Sequence, residues 1–313
     1  MIAITFIAEP GELAIKSLLL AYTFRQQSNA KDFDLICFVP EESIHRLSTL
    51  AILKKLNVEV VPFRNELFES KSPLIPGDKV SNKLYFLTVQ NKYERIVFFD
   101  SDMICIKPFE IDCFLFKTPF SAKQADRANV TKWEEIYNLF GLTQPTTRHT
   151  CTVDKELLPP YFNAGHINVS CEISHNLFST WIKYFKELSQ PVNLDKNLYN
   201  SFNRDQVALS LAIRQLDIEV TFMDEIYNYP IRSKPPTKDV TFAHYHDAIT
   251  VRKDKTMYHL YRSMIDALEI CPKLIRKESL EWSLIMNNFI FRLLLSHKIG
   301  KRLFRKAIRR NPQ

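Results

Sequence analysis

Two aspartates one residue apart, Asp100 and Asp102, close the apolar run at 96–99 in the stretch RIVFFDSDMICIKPF. In an extended chain, residues i and i+2 face the same side with Cα atoms roughly 6.6 Å apart. Both carboxylates can then aim at one point while Ser101 faces away. Acids that close oppose each other's ionisation unless positive charge lies between them, and a divalent cation suits such oxygen donors. The carboxyl ends of strands in open α/β sheets are also where ligands bind. Asp-Ser-Asp by itself equally serves to cap loop amides; the buried strand before it and the apolar return ICIKPF turn the reading toward chemistry. Further metal-ligand types lie near residue 244. In VTFAHYH, Val240, Phe242, His244 and His246 share one face by alternation, so periodicity does not choose between the imidazoles. Both could also be hydrogen-bonded strand histidines.

Such groups need a frame to hold them. Residues 1–8 read as a strand, the turn EPG follows, and 12–26 has helical spacing with Leu13, Ser17, Leu20 and Phe24 on one stripe. FDLICFVP is a second strand, EESIHRLSTLAILKKL a second helix and VEVVPF a third strand, so strand and helix alternate three times in about sixty residues. This alternation predicts a parallel sheet wrapped by helices. SPLIPGDKVSNKLYFLTVQNKYE gives a loop and a helix that Ser81 could cap, leading to the strand that carries the aspartates. Later come a helix at 133–140, a loop in GLTQPTTRHT, a strand in YFNAGHINVS and an amphipathic helix in SHNLFSTWIKYFKEL. A further helix in NRDQVALSLAIRQL, a late strand in DVTFAHYHD and mainly helical signal beyond Val251 complete the chain.

Composition bounds the rest. The 313 residues are 46% apolar, ample for one large or two ordinary domains, and five glycines with no repeat argue against disorder, solenoids and propellers. Six scattered cysteines without a close pair read as reduced core residues of a cytosolic protein. The N-terminus lacks a basic leader and turns too early for a signal peptide. No stretch approaches the roughly 18 apolar residues of a membrane span. Residues 277–313 hold nine Lys or Arg against Glu278 and Glu281, an excess equal to the whole chain's +7. The basicity therefore belongs to a tail.

NKLYFLTVQNKYERIVFFDSDMICIKPF resembles the helix, strand and DxD motif of the glycogenin-like, family-eight glycosyltransferases. The likeness continues in order: YFNAGHINVS is similar to that family's FNxG strand, DQVALSLA to its DQ-containing helix and HYH to its late histidine. It runs from about Met1 to Asp247, though only these four islands are specific. It implies an α/β fold of the GT-A type, Rossmann-like, with a mostly parallel central sheet and flanking helices over residues 1–250. A helical region at 251–313 would follow. It also implies Mn²⁺ or Mg²⁺ on Asp100, Asp102 and His244, bridging the diphosphate of a nucleotide-sugar donor. His244 is favoured over His246 by the resemblance alone, and a mixed nitrogen and oxygen set is more natural for Mn²⁺. Lys83 would approach the donor, while Asn163, Asp205 and Gln206 would bind the sugar and flank its reacting carbon. Ala8 and Ser101 fall among the donor contacts, and Gly165 would allow close backbone approach. The family pattern HFxGxxKPW is replaced by HYHDAITVRKD, which lacks the glycine and lysine that grip the diphosphate; Arg252 or Lys253 could substitute.

The tail at about 284–313 interleaves Phe289, Ile290, Leu293, Leu294, Ile299, Leu303, Phe304 and Ile308 with cations. Such a basic amphipathic segment can lie on an anionic membrane, and its many apolar residues have no purpose in a phosphate-binding arm, so no nucleic acid is expected. Bacterial lipooligosaccharide galactosyltransferases similar to this family carry a comparable tail. The resemblance thus implies a metal-dependent, retaining hexosyltransferase, using a UDP-sugar, on the inner face of the plasma membrane. Its acceptor would be a glycan or glycolipid of bacterial surface polysaccharide biosynthesis. Two rivals stand beside it: a haloacid-dehalogenase-type phosphatase with Asp100 as nucleophile, and a non-catalytic membrane or nucleic-acid adaptor whose DxD caps a loop.

Overall fold

The computed structural model describes residues 1–29, 32–67, 79–89, 92–190, 198–199, 203–235 and 237–286. Its first strands are apolar on both faces, as a strand covered from both sides must be. β1 (Ile2–Ile7) and β4 (Arg95–Phe99) are buried throughout. With β2 (Phe33–Pro40) and β3 (Val58–Phe63) they form a parallel set, in which β1 pairs with both β2 and β4. Beyond β4 the sheet continues through β9 (Phe162–Ser170), antiparallel to β4 and to β6 (Phe120–Gln124), and ends at β10 (Val220–Phe222). The seven strands run in the order β10-β6-β9-β4-β1-β2-β3. Two small ladders stand apart, β5 (Met103–Cys105) with β11 (Phe242–His244) and β7 (His149–Thr150) with β8 (Leu157–Leu158).

Alternation divides these strands between two cores. Ile4, Phe6, Cys37, Val97 and Phe99 pack into one, while Ala3, Ile36, Phe38, Ile96 and Phe98 pack into the other. The first core is covered by α1 (Glu12–Gln27), the second by α5 (Cys171–Leu188) and α6 (Arg204–Gln215). Between these helices in chain order lie α2 (Glu41–Ile44), α3 (Leu50–Lys55) and α4 (Trp133–Leu139). The stripe foreseen on α1 is too narrow, since positions 14–24 are all buried. The cause is a second layer outside it: α7 (Ala248–Lys253), α8 (Lys255–Ala267), α9 (Pro272–Glu278) and α10 (Leu280–Ile285) send Met257, Tyr261, Met264, Ile275 and Trp282 into the same core. A helix covered on both sides is apolar all round, and each buried leucine among Leu18, Leu19 and Leu20 contributes roughly 1.5–3 kcal/mol.

Other departures are local. The helix expected over 41–56 is broken at 45–49, where the Ser48 hydroxyl donates to Glu278 and buried Thr49 opens α3; both residue types favour caps over interiors. Lys79–Thr88 is a 3₁₀ helix, and Ser81 lies inside it, accepting from Asn65 Nδ2 at 2.8 Å, instead of capping it. The late strand keeps only three residues. Among the described residues no helix is long and apolar enough to cross a membrane. The basic tail lies almost wholly outside them.

Candidate active site

β4 stops at Phe99 and the chain turns, with Met103 N donating to Asp100 O at 3.0 Å. The two aspartates are therefore brought together by a turn and not by the extended spacing expected. Ser101 occupies its tip and donates to Ile7 O, which ties the turn to the end of β1. Asp100 N donates to Gly165 O at 2.8 Å, which ties the other side to β9. After the turn, β5 pairs with β11 so that His244 stands opposite Met103, and Tyr245 N donates to Asp102 O at 3.0 Å. A residue 142 positions away is thus fixed beside Asp102 by backbone pairing.

Around this turn lies a cleft of about 290 Å³ whose lining divides by contact into two sides, one of Asp102, His244 and His246 and one of Lys83, Asp100, Asp126, Asn163, Asp205 and Gln206. On the first side His244 Nε2 lies 2.9 Å from Asp102 Oδ1, and His246 Nδ1 lies 3.6 Å from Asp102 Oδ2. Burial would raise the Asp102 carboxyl, yet His244, His246 and Lys16 outweigh it and hold it well below the usual carboxylate range. Burial likewise lowers His244, and Asp102 more than reverses that, so its pKa is raised. Behind them Lys16, buried in α1, donates to His246 O at 2.6 Å and pairs with Glu12 at 2.7 Å.

On the second side Lys83 Nζ lies 3.2 Å from Asp100 Oδ1 and 3.0 Å from Asp205 Oδ2. Burial disfavours this ammonium, but the two acids outweigh burial and raise its pKa. Asp100 itself is raised, chiefly by burial, with Lys83 opposing. Asn163 donates to Asp126 Oδ2 at 2.7 Å, while its carbonyl accepts from Gly165 N at 2.9 Å and Asn228 Nδ2 at 3.1 Å. Asp126 is held in turn by Lys123, which overcomes burial and lowers the carboxyl. Gly165 touches both sides: a Cβ there would lie 2.9 Å from His244 Cε1 and 3.1 Å from Asn163 Oδ1.

The donor set fits a divalent cation. One ligand atom each from Asp102, His244 and His246 lies within 4.8 Å of the others, Asp100 borders the same cleft, and His244 Nδ1 is buried without a partner against Gly165. Lys83, Asn163, Gly165, Asp205 and Gln206 are gathered in the cleft as well. Ala8 and Ser101 are buried beneath it, and the Arg252 guanidinium stacks 3.9 Å from the centre of the Tyr258 ring; none of the three lines the cleft. Sequence reasoning missed Asp126, Lys123 and Lys16. Asp126 follows a buried strand whose letters, FSAKQ, are not an apolar run, whereas Lys16 is a lone charge in the apolar run LAIKSLLLAYTF and carried a usable signal.

A family model described as the Rhodobacterales glycosyltransferase domain matches residues 4–217, which takes in the aspartate turn, Asn163, Asp205 and Gln206. No curated protein matches the chain. Among solved structures, the galactosyltransferase LgtC in complex with donor and acceptor sugar analogues is similar with a TM-score of 0.59 and 14% identity, covering 88% of this chain and 99% of that one. The bifunctional glycosyltransferase WbbM gives 0.52 and 16%, covering 88% and 50%. Mouse xyloside xylosyltransferase 1 gives 0.50 and 13%, covering 79% and 98%. At these identities the likeness is one of fold, and it is the GT-A fold that the motifs lead one to expect.

Proposed function

Because the chain belongs to the Rhodobacterales glycosyltransferase domain family, we propose that it moves a hexose from a nucleotide sugar, a UDP-sugar, to a glycan or glycolipid acceptor of bacterial surface polysaccharide, with retention at the anomeric carbon. Family membership removes the phosphatase and adaptor alternatives. The observation that carries this reading is the cleft itself, in which an acid with two imidazoles and an array of lysine-anchored acids with an amide line one space of about 290 Å³.

Asp102 and His244 hold Mn²⁺, or Mg²⁺, with Asp100 or His246 completing the protein set. Such an ion supplies a Lewis acid that neutralises charge gathering on the departing diphosphate. Lys83 is held by Asp100 and Asp205 at the cleft wall, where its fixed ammonium suits phosphate oxygens or sugar hydroxyls. Asn163 is locked by Asp126, Gly165 and Asn228, so its amide presents one orientation to a ligand. Asp205 keeps Oδ1 buried without a partner, an acceptor ready for a sugar hydroxyl, and Gln206 borders the same space. Residues 1–250 form the catalytic unit, and the basic segment at about 284–313 rests on anionic lipid at the inner face of the plasma membrane, a reading supported by its composition.

The test is a thermal-shift screen of nucleotide sugars with and without Mn²⁺, followed by proton NMR of the product anomer. A cognate donor stabilises the folded form by mass action. Absence of any stabilising nucleotide sugar, or transfer untouched by chelator, would reject the donor or the metal assignment respectively.

A further inference from the structure

We propose that the third protein ligand of the metal is His246 and not Asp100, so that this chain holds its cation on one carboxylate and two imidazoles. The inference rests on the metal dependence proposed above and goes beyond it by naming the ligand set. On the side of Lys83 the two oxygens of Asp100 lie 3.2 and 3.5 Å from the ammonium. Its charge is already answered from that side. Asp102 has an imidazole at each oxygen, Oδ1 to His244 at 2.9 Å and Oδ2 to His246 at 3.6 Å, with the Lys16 ammonium farther off at 3.9 Å from Oδ2.

The backbone of His246 is the second observation. It sits at φ 62, a left-handed conformation that residues with a Cβ seldom adopt. The rings of His244 and His246 lie with their centroids 4.0 Å apart, and Lys16 holds the turn by donating to the His246 carbonyl at 2.6 Å. Strained backbone persists where the surroundings impose it, and it gathers at ligand clamps. Here the strain has a visible product: three ligand atoms within 4.8 Å. Ligands about 2.1 Å from one ion lie at most about 4.2 Å apart, a distance these side chains reach by small rotations. Two nitrogens and one oxygen favour Mn²⁺, Fe²⁺, Co²⁺ or Zn²⁺ over Mg²⁺ and Ca²⁺.

The full-length chain should be titrated with Mn²⁺ by calorimetry without nucleotide, and the bound ion examined by electron spin echo for coupled nitrogens. Wild type should show two. His246→Ala should show one, with affinity about tenfold weaker or worse, while Asp100→Asn should lose less. His246→Gly accommodates φ 62 without strain, so it should melt no lower than wild type in the absence of metal yet bind Mn²⁺ as poorly as His246→Ala. If both His246 variants bind like wild type, or Asp100→Asn loses more than they do, the ligand set is wrong and the metal reading stands. If wild type binds neither Mn²⁺ nor Co²⁺, the metal reading itself fails.

Discussion

The two walls of the cleft both present carboxylate, one on the first and several on the second, and they differ in what answers it. Asp102 meets the imidazoles of His244 and His246 first and the Lys16 ammonium only at 3.9 Å, whereas Asp100 and Asp205 meet the ammonium of Lys83 within 3.2 Å and Asp126 meets that of Lys123. An ammonium offers donors and no lone pair, so an acid that it holds is finished as a structural unit and can still accept from hydroxyls. An imidazole can offer a ring nitrogen to a metal in place of a proton. On the function proposed above, the contrast would give the walls different work: one to receive an ion, the other a polar organic group. Acid count alone would not have separated them.

Four changes would break or sharpen that contrast. Asp102→Asn strikes the wall of the imidazoles at its centre and should lower kcat/KM by about 10³ or more, read as donor turnover with Mn²⁺ present. It should also lower the melting temperature without unfolding the protein, since a carboxyl held below its usual range stabilises the fold while ionised. Lys83→Met should cost about 10² in kcat/KM and also lower stability, because it leaves two acids without their cation. Removing one of them as well, in Lys83→Met with Asp205→Asn, should recover part of the stability and none of the activity; recovery of neither would show that the lysine is not their partner. Gly165→Ala places a methyl against both His244 and Asn163, and should weaken Mn²⁺ binding and raise the donor KM together, each by about tenfold. A change in only one of the two would show that the walls are not joined there. The smallest effect belongs to Glu278→Gln. Its carboxylate accepts from Gly11 N at 2.6 Å at the start of α1, so stability should fall by about 1 kcal/mol, measured by urea unfolding, with Mn²⁺ affinity nearly unchanged.

Much of the frame was legible because buried strands alternate strictly. Ile96 and Phe98 went to one core and Val97 and Phe99 to the other, as their positions require. The site was legible in part. The acids at the end of β4 stand out against their apolar strand, but the geometry that gathers them is a turn, which the i, i+2 rule does not describe. Alternation put His244 and His246 on one face without choosing between them, and it did not describe the path to His246, since β11 ends at His244 and the backbone turns left-handed two residues later. Helix breaks at 45–49 depend on Glu278, more than two hundred residues away, so no local window contains their cause. Asp126 was hidden because the strand before it, Phe120–Gln124, is buried throughout without being apolar in its letters, FSAKQ.

The helices after residue 250 have a bearing on how the enzyme can be cut. Met257, Tyr261, Met264, Ile275 and Trp282 fill the core against α1, the helix that carries Lys16 and so steadies the loop of His246. Trimming the chain back to a supposed minimal catalytic piece would strip the outer coat from that helix and leave a greasy face open to water. Such a shortened protein should aggregate in concentrated solution, and the damage should be felt first at the ion and only later at the sugar.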